Sequence, residues 1–526
     1  MIKSFNQMYE MFMNHTNEDY TAMCFNETAI SFTQLKRRVD EIARHLIRLG
    51  IRTGQGVGYT LDNGVDVIPL QIAVSRIGAY AMPLFTGFPP VQKINLFQKA
   101  EVSLIVTNYK YYDGLLETAR NASFDVKIAV VENDSIIDNI YGDVEEKIEL
   151  SEYLVDSEEM DQPLLIGFSS GTTGIPKMVA MSQKNVGAEM ISMMDLFNHS
   201  ISFTENDSHI MAFPFSTSVM LTVIASLFYG TRIIYTDDMS PMNFLRNIER
   251  WNATSIMGPP AYLESLLLLK EQQDYDLSSV RFVMGGMDFF SPSLLSRLCT
   301  MFPNMRYHSG GYGLVETCNV YMEKSIDILE DDLSHAARFN LAVSAENEIK
   351  VCDEQGQEVA DGEIGEIYVK GPNVVKGYMK SPKQLLEEFP EGWLQTGDIC
   401  RKIDSTTVQL MGREKYFIKR GGKSISPIVV QNEINKTKGV KDSAVVGVPH
   451  VLFGEMIWAF VVKKPGEEVS LKDIKKTCKE VLPYYMLPDQ VTFIDDIPKN
   501  GGVGKVNYEK IRELGQEELK KIANIQ

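Results

Sequence analysis

The sequence predicts an α/β protein with mostly parallel sheets, then a small β subdomain, then a compact α+β module. Three features of the chain point there. Short β-branched runs alternate with stretches of helical apolar spacing through the first two-thirds. After about residue 345 the pattern becomes short strands cut by glycine turns. A second change falls near residues 412–427, after which strands and helices alternate again.

Taken in order, "VGYTL" from Val57, "VSLIVTN" from Val102, "KIAVVEN" from Lys127, "PLLIGFSS" from Pro163, "RIIYT" from Arg232 and "VRFVMGG" from Val280 read as strands. Between them, "FTQLKRRVDEIARHLIRLG" (32–50) has apolar residues at helical spacing and ends on glycine, a helix stop signal. "MNFLRNIERWN" and "AYLESLLLLKEQ" read as helices on the same pattern. The run "NEIKVCDEQGQEVADGEIGEIYVKGP" supplies the β subdomain. In the last module a helix, "SPIVVQNEINKT", precedes the strands "DSAVVGVPH" and "MIWAFVVKKPG"; the helix "LKDIKKTCKEVL" and the strand "QVTFIDD" follow.

Composition bounds the function. The chain has 526 residues, 44% hydrophobic and 23% charged, which is ordinary for a globular protein large enough to bury a sizeable core. A net charge of -18 disfavours a general nucleic-acid binder, because the phosphate backbone would be repelled. A small phosphate ligand feels its local pocket instead and is not disfavoured. The six cysteines are scattered, with no CxxC pair, so free thiols in a reducing compartment are expected. The N-terminus has no continuous apolar core of a secretory signal. The longest apolar patch, "VMLTVIASLFYG" from Val219, is shorter than the roughly 20 residues that span a bilayer. A cytoplasmic protein is expected.

The stretch with the most chemistry is "FSSGTTGIPKMV" (168–179). A strand leads into Ser169, Ser170, Gly171, Thr172, Thr173 and Gly174. Glycines let the backbone approach a ligand closely, and backbone N–H groups with hydroxyls form an anion-binding nest. Lys177 adds a positive charge suited to a polyphosphate, and Pro176 stiffens the loop before it. The spacing G-x-x-G-x-P-K differs from the P-loop G-x-x-x-x-G-K-[ST].

With four further motifs in order, the chain resembles the adenylate-forming (AMP-binding) superfamily of acyl- and aryl-CoA ligases, peptide-synthetase adenylation domains and firefly-type luciferases. Those motifs are "GYGLVET" (311–317), "WLQTGD" (393–398), "GREKYFIKRGGKSISP" (412–427) and "IPKNGGVGKV" (497–506). The resemblance, spread over about residues 20–515, implies a large N-terminal domain of stacked sheets (1–413, with the β subdomain at about 345–411). It also implies a small mobile C-terminal domain (414–526) hinged near Lys415. It further implies ATP, Mg²⁺ and coenzyme A, or the phosphopantetheine of a separate carrier protein.

Each motif also suits that chemistry physically. Tyr312 offers a face for adenine, with Gly311 and Gly313 keeping the backbone close. Glu316 offers a hard oxygen for Mg²⁺. Asp398 can accept the ribose hydroxyls, and Arg413 presents a fork of donors to ribose or phosphate. By resemblance Lys505 enters the site during adenylation, where its charge offsets the repulsion of one anion attacking another. Lys419, Gly421, Gly422 and Lys423 are expected on the thiol side after the small domain rotates.

By resemblance "MGGMDFF" (284–290) is expected along the nucleotide, at the end of a strand, and "FPFSTSVM" in the acid pocket, which Ser216, Thr217, Met220, Gly285, Gly286 and Met287 are expected to line. Ser216 stands where amino-acid-activating relatives carry an aspartate, so α-amino acids are disfavoured. An aryl acid or a short to medium acyl acid is expected. Three positions depart from the family pattern. Val315 replaces a threonine that contacts the α-phosphate, Met178 replaces a glycine, and Gln183 replaces a frequent histidine. The leading expectation is an acyl- or aryl-CoA synthetase. The alternatives are a stand-alone enzyme loading a carrier protein, a degenerate AMP binder and, more distantly, a luciferase-type oxygenase.

Overall fold

A computed structural model describes residues 3–15, 20–132, 135–136, 148–155, 159–169, 177–196, 204, 206–216, 220–270, 275–285, 290, 292–318, 322–327, 340–343, 346–382, 384–499 and 506–523. These residues form mixed α/β layers around sheets of 13, nine and five strands.

The nine-stranded sheet has a parallel centre: the strands Pro163–Ser169, Tyr80–Pro83, Gly56–Thr60, Val102–Asn108 and Lys127–Glu132 lie side by side. The 13-stranded sheet has a parallel run through Thr21–Phe25, Arg232–Tyr235, Ser208–Met211, Ser255–Gly258, Phe282–Gly285 and Tyr307–Tyr312. Parallel strands need crossover helices, and those helices cover the sheet faces. One core takes Tyr59 and Val57 from the nine-stranded sheet and Met211 and Phe282 from the 13-stranded one. The helices Phe32–Arg48, Val67–Arg76 and Met220–Phe228 contribute to the same core. The two large sheets are therefore stacked through shared helices. The helices Pro241–Trp251, Pro260–Lys270 and Pro292–Met301 seal the other side of the 13-stranded sheet.

Local rules account for the elements. The helix Phe32–Arg48 opens on a capping box: Ser31 Oγ accepts from Gln34 N at 3.2 Å and Gln34 Oε1 accepts from Ser31 N at 2.8 Å. It ends before Gly50, whose φ of 92° is cheap only for glycine. The apolar patch after Val219 is the helix Met220–Phe228, every residue of which is buried. Its composition serves the interior. Among the described residues no helix is long and apolar enough to cross a membrane. All six cysteines are free, and five of them are buried.

Residues 345–411, read from the sequence as a β subdomain, contribute to both large sheets. Glu348–Cys352, Ile364–Lys370, Leu394–Lys402 and Thr407–Arg413 extend the 13-stranded sheet through antiparallel pairing. Gly377–Ser381 and Gln384–Glu388 extend the nine-stranded one. The five-stranded sheet begins at Ile418 and has its own core, including Ile418, Val430, Val445, Ile457 and Ile474. Its helix Pro427–Asn435 meets the larger part through Ser426, whose hydroxyl donates to Met411 O, and through Ile428 beside Gly412.

Gly258, Gly285 and Gly310 stand in one row across three adjacent parallel strands, near their carboxyl ends. A Cβ on Gly285 would fall well inside contact distance of the Phe290 ring, which is 2% exposed and packs on His308 with centroids 4.4 Å apart. Gly285→Ala is therefore expected to destabilise the protein by about 1–3 kcal/mol, the usual cost of overpacking. Urea unfolding checks this; an unchanged midpoint would show that Phe290 yields freely.

Candidate functional site

The expected phosphate loop is the connection of an antiparallel hairpin. The strand Pro163–Ser169 pairs with a strand Lys177–Ser182 that the sequence reading did not anticipate, and Ser169 stands opposite Lys177. The two ends of the loop are thus held together by a ladder, and the loop's length is fixed by register. Ser170, Gly171, Thr172, Thr173 and Gly174 lie outside the described residues, as do Thr217, Gly286, Met287 and Lys505.

Around this hairpin three residues converge. Lys177 Nζ sits 4.0 Å from the centroid of the Tyr378 ring. The Tyr378 hydroxyl donates to Glu316 Oε1 at 3.0 Å. Burial, and then the Glu316 carboxylate, hold the Tyr378 phenol well above its ordinary range, so it remains a donor at neutral pH. Lys177 also lies 3.3 Å from Glu387, an exposed pair worth little by itself. Tyr378 is the residue the sequence reading missed. It is remote in the chain from both partners, and only the pairing of Gly377–Ser381 onto Lys177–Ser182 brings it in. The same turn is braced from behind: Val375 N donates to Glu316 O at 2.9 Å, and Val315 packs on the backbone of Gly167.

A second cluster joins three strands of the 13-stranded sheet. Tyr312 closes the strand Tyr307–Tyr312, with Gly311 paired to Glu323 and Gly313 just beyond. The Tyr312 hydroxyl donates to Asp398 Oδ2 at 2.7 Å. Arg413 Nε lies 3.0 Å from Asp398 Oδ1, and the two residues are register partners on neighbouring strands. Thr396 Oγ1 accepts from Asp398 N at 3.1 Å. Asp398 is 4% exposed, and a carboxylate so placed needs such partners. A carboxylate offers about four lone-pair sites, which suits a residue that holds protein donors and accepts from a ligand as well.

The described residues expected in the acid pocket are buried. Met220 is fully buried at the start of its helix. Ser216 is 1% exposed, and its hydroxyl is committed to the backbone: it donates to Leu61 O at 2.6 Å and accepts from Leu61 N at 3.0 Å. Gln183 lies in a buried network with the N-terminal helix and the helix Val67–Arg76. Its Nε2 donates to Ser75 Oγ at 2.8 Å, and its Oε1 accepts from Asn6 N at 3.2 Å. Met178 packs into the core beside Phe168 and Met379.

The C-terminal candidates have their partners on their own lobe. Lys415 Nζ lies 4.8 Å from the Tyr416 centroid and 3.9 Å from Glu509. Lys419 Nζ donates to Ser424 Oγ at 2.8 Å, and Lys423 lies over Tyr485. Gly421 and Gly422, with φ of 54° and 75°, make the two-residue turn between Ile418–Arg420 and Lys423–Ile425. A hairpin turn with both central residues at positive φ is the place for a Gly-Gly pair.

One buried acid was not foreseen. Glu189, on the helix Gln183–Leu196, is fully buried. Its Oε1 accepts from Thr222 Oγ1 at 3.4 Å, and its Oε2 has no hydrogen-bond partner among the described residues. Burial pushes its carboxyl up from 4.5 to about 8. The folded state therefore holds a proton that the unfolded chain releases above pH 4.5. The associated stability is complete below that value and is lost as the pH rises through about 8. Between pH 5 and 8 the wild type is expected to lose a few kcal/mol more stability than Glu189→Gln, since a tenfold difference in proton affinity is worth about 1.4 kcal/mol. Parallel urea-unfolding profiles for the two proteins would refute it.

The family described as AMP-binding enzyme matches residues 12–379, and the AMP-binding enzyme C-terminal domain matches residues 430–503. The chain is 26% identical over 502 residues to the 2-succinylbenzoate–CoA ligase of Bacillus cereus, covering 95% of this chain and 96% of that protein. It is 25% identical over 503 residues to 4-coumarate-CoA ligase 1 of Narcissus pseudonarcissus, covering 93% and 89%. Its structure is similar to that of ATP-bound MatB from Rhodopseudomonas palustris, with a TM-score of 0.82 at 25% identity, covering 96% of this chain and 98% of that one.

Proposed function

The chain belongs to the AMP-binding enzyme family and is a ligase; from that premise we propose that it activates a carboxylic acid with ATP and passes the acyl group to the thiol of coenzyme A. The observation that carries this reading is the Lys177–Tyr378–Glu316 chain at the mouth of the expected phosphate loop. It sets a cation and a carboxylate around one phenol where a polyphosphate and its metal would need both.

In the first half-reaction a carboxylate oxygen of the acid attacks the α-phosphorus of ATP. The new O–P bond forms as the bridging P–O bond breaks, and pyrophosphate leaves. The protein's part is positioning and charge neutralisation. Lys177 meets phosphate oxygens, and the hydroxyls and N–H groups of Ser169–Gly174 cradle them. Asp398 accepts from the ribose hydroxyls, oriented by Tyr312 and Arg413. Lys505 is brought to the reacting carboxylate and offsets its negative charge.

Glu316 fits a Mg²⁺ site: it is 6% exposed and oriented by Tyr378. Such an ion needs only one or two protein carboxylates, because phosphates and water complete its shell. When bound, Mg²⁺ neutralises phosphate charge.

In the second half-reaction the thiol sulfur attacks the acyl carbon of the acyl-adenylate, AMP leaves and the thiol proton is lost. We assign this step to a second pose of residues 414–526, turned about Lys415 so that Lys419, Lys423 and the Gly421–Gly422 turn face the nucleotide. Charge supports the assignment. Residues 414–526 carry 19 basic against 15 acidic residues, whereas residues 1–413 carry 33 against 55. Coenzyme A is a polyanion, and the basic lobe is the one that would meet it.

Acid-dependent ATP–pyrophosphate exchange over a panel of aryl and acyl acids is expected to be positive. Coenzyme A is then expected to convert the adenylate to a free thioester. Transfer only to an added carrier protein would reject coenzyme A as the acceptor. Lys505→Ala is expected to lower exchange by about 10²-fold or more, the scale of one lost electrostatic contact to the reacting centre. Thioester formation from supplied acyl-adenylate should be largely kept, and equal loss in both halves would count against two poses.

A further inference from the structure

Tyr378 is held as a fixed post. Its strand, Gly377–Ser381, lies between Lys177–Ser182 and the edge strand Gln384–Glu388, and Tyr378 is the register partner of Val179 on one side and of Glu387 on the other. Gly377 allows the close approach of that edge strand, since a Cβ there would fall on Glu387 O. Phe389, 6% exposed, packs edge-on against the Tyr378 ring with centroids 5.3 Å apart. The ring is thus braced by its strand neighbours and by a buried aromatic.

Lys177 and Glu316 carry opposite charges and meet the face and the hydroxyl of this one side chain. No ion pair joins them among the described residues; the ion pair of Lys177 is with the exposed Glu387. The phenol holds each partner without discharging it. An aromatic face attracts an ammonium through its quadrupole, and a neutral hydroxyl orients a carboxylate without cancelling its charge. Burial, and then the Glu316 carboxylate, keep the phenol protonated at neutral pH. No second hydrogen bond to the Glu316 side chain is made among the described residues.

Without the phenol between them, the two charges would attract each other directly. A carboxylate paired with an ammonium has given up the lone pair and the net charge that a hard cation needs, and the ammonium is then lost to phosphate. Resting on the ligase reading above, we propose that Tyr378 is a positioning residue of the adenylation site: it stands between Lys177 and Glu316 and keeps both charged, so that the lysine takes the outer phosphates of ATP while the carboxylate takes their metal ion. The hydroxyl serves the metal side and the ring serves the phosphate side. Substitution separates the two, since phenylalanine loses only the hydroxyl and leucine loses the ring as well.

The test is calorimetric titration of ATP into wild type, Tyr378→Phe and Tyr378→Leu, once with Mg²⁺ and once with EDTA. AMP, which brings neither the outer phosphates nor their metal ion, is the control ligand. In wild type Mg²⁺ is expected to tighten ATP binding. Tyr378→Phe should lower the affinity for ATP with Mg²⁺ by about tenfold, the scale of one hydrogen bond to a charged group, and leave metal-free ATP affinity nearly unchanged. Tyr378→Leu should abolish the gain from Mg²⁺ and weaken metal-free ATP too, because Lys177 then pairs with Glu316. AMP affinity should stay within about twofold in all three proteins, as for a site without shared partners, whereas a general loosening would lower it. Phenylalanine keeps the packing on Phe389, so the test stands if leucine fails to fold. A full gain from Mg²⁺ in Tyr378→Phe, no gain in wild type, or AMP affinity falling in step with ATP would overturn the proposal and leave the ligase reading in place. A wild type that binds ATP under neither condition would overturn that reading, and this proposal with it.

Discussion

A carboxylate withdrawn almost wholly from water must be paired, and Asp398 is the place where that requirement organises the molecule. Its two oxygens are held by Arg413, from the adjacent strand, and by Tyr312, from a strand farther along the same sheet. Tyr312 closes the parallel run of the 13-stranded sheet. Arg413 is the last residue of the strand before the small C-terminal sheet. One buried charge thus ties the end of the parallel core to the antiparallel extension and to the start of the next lobe. Breaking such a pair from one side leaves an uncompensated charge, which costs more than the pair contributes. The geometry of the cluster is therefore strongly constrained.

The phosphate side is built by the other large sheet. There the register Ser169 opposite Lys177 fixes the ends of the loop, and Tyr378 links Lys177 to Glu316, which follows a strand of the 13-stranded sheet. The shared core keeps the two clusters in one frame, since Tyr59 from one sheet and Phe282 from the other belong to it. Packed interiors deform little, so distances set by the core carry to the site. Catalysis by positioning needs that stiffness.

Much of the fold was legible. The strands at Gly56, Val102, Lys127 and Pro163 and the helices at Phe32, Pro241 and Pro427 stand where their periodicity put them, because each carries enough apolar residues to declare a period. Ser208–Met211 and Ser255–Gly258 did not stand out. They are four-residue strands of mixed character whose polar groups are satisfied sideways: Ser208 N bonds Thr254 Oγ1, and Ser255 bonds His209. Such strands are recognisable only once their neighbours are in place. Tyr378 and Glu189 were silent for a related reason. An isolated tyrosine or a single acid on a helix has no pattern, and each acquires meaning only from partners far away in the chain.

By itself the sequence determined the α/β class, the order of the motifs and the chemical types brought to them: small donors with a lysine, an aromatic between glycines, and lone acids. These are local properties, set by side-chain chemistry and by the period of each element. The tertiary structure alone decided that Tyr378 joins Lys177 to Glu316, that the hydroxyl of Ser216 both donates to and accepts from the backbone of Leu61, and that Glu189 lies buried with one oxygen unpartnered among the described residues. Contacts between distant residues depend on strand register and sheet stacking, and those follow from how the whole core packs.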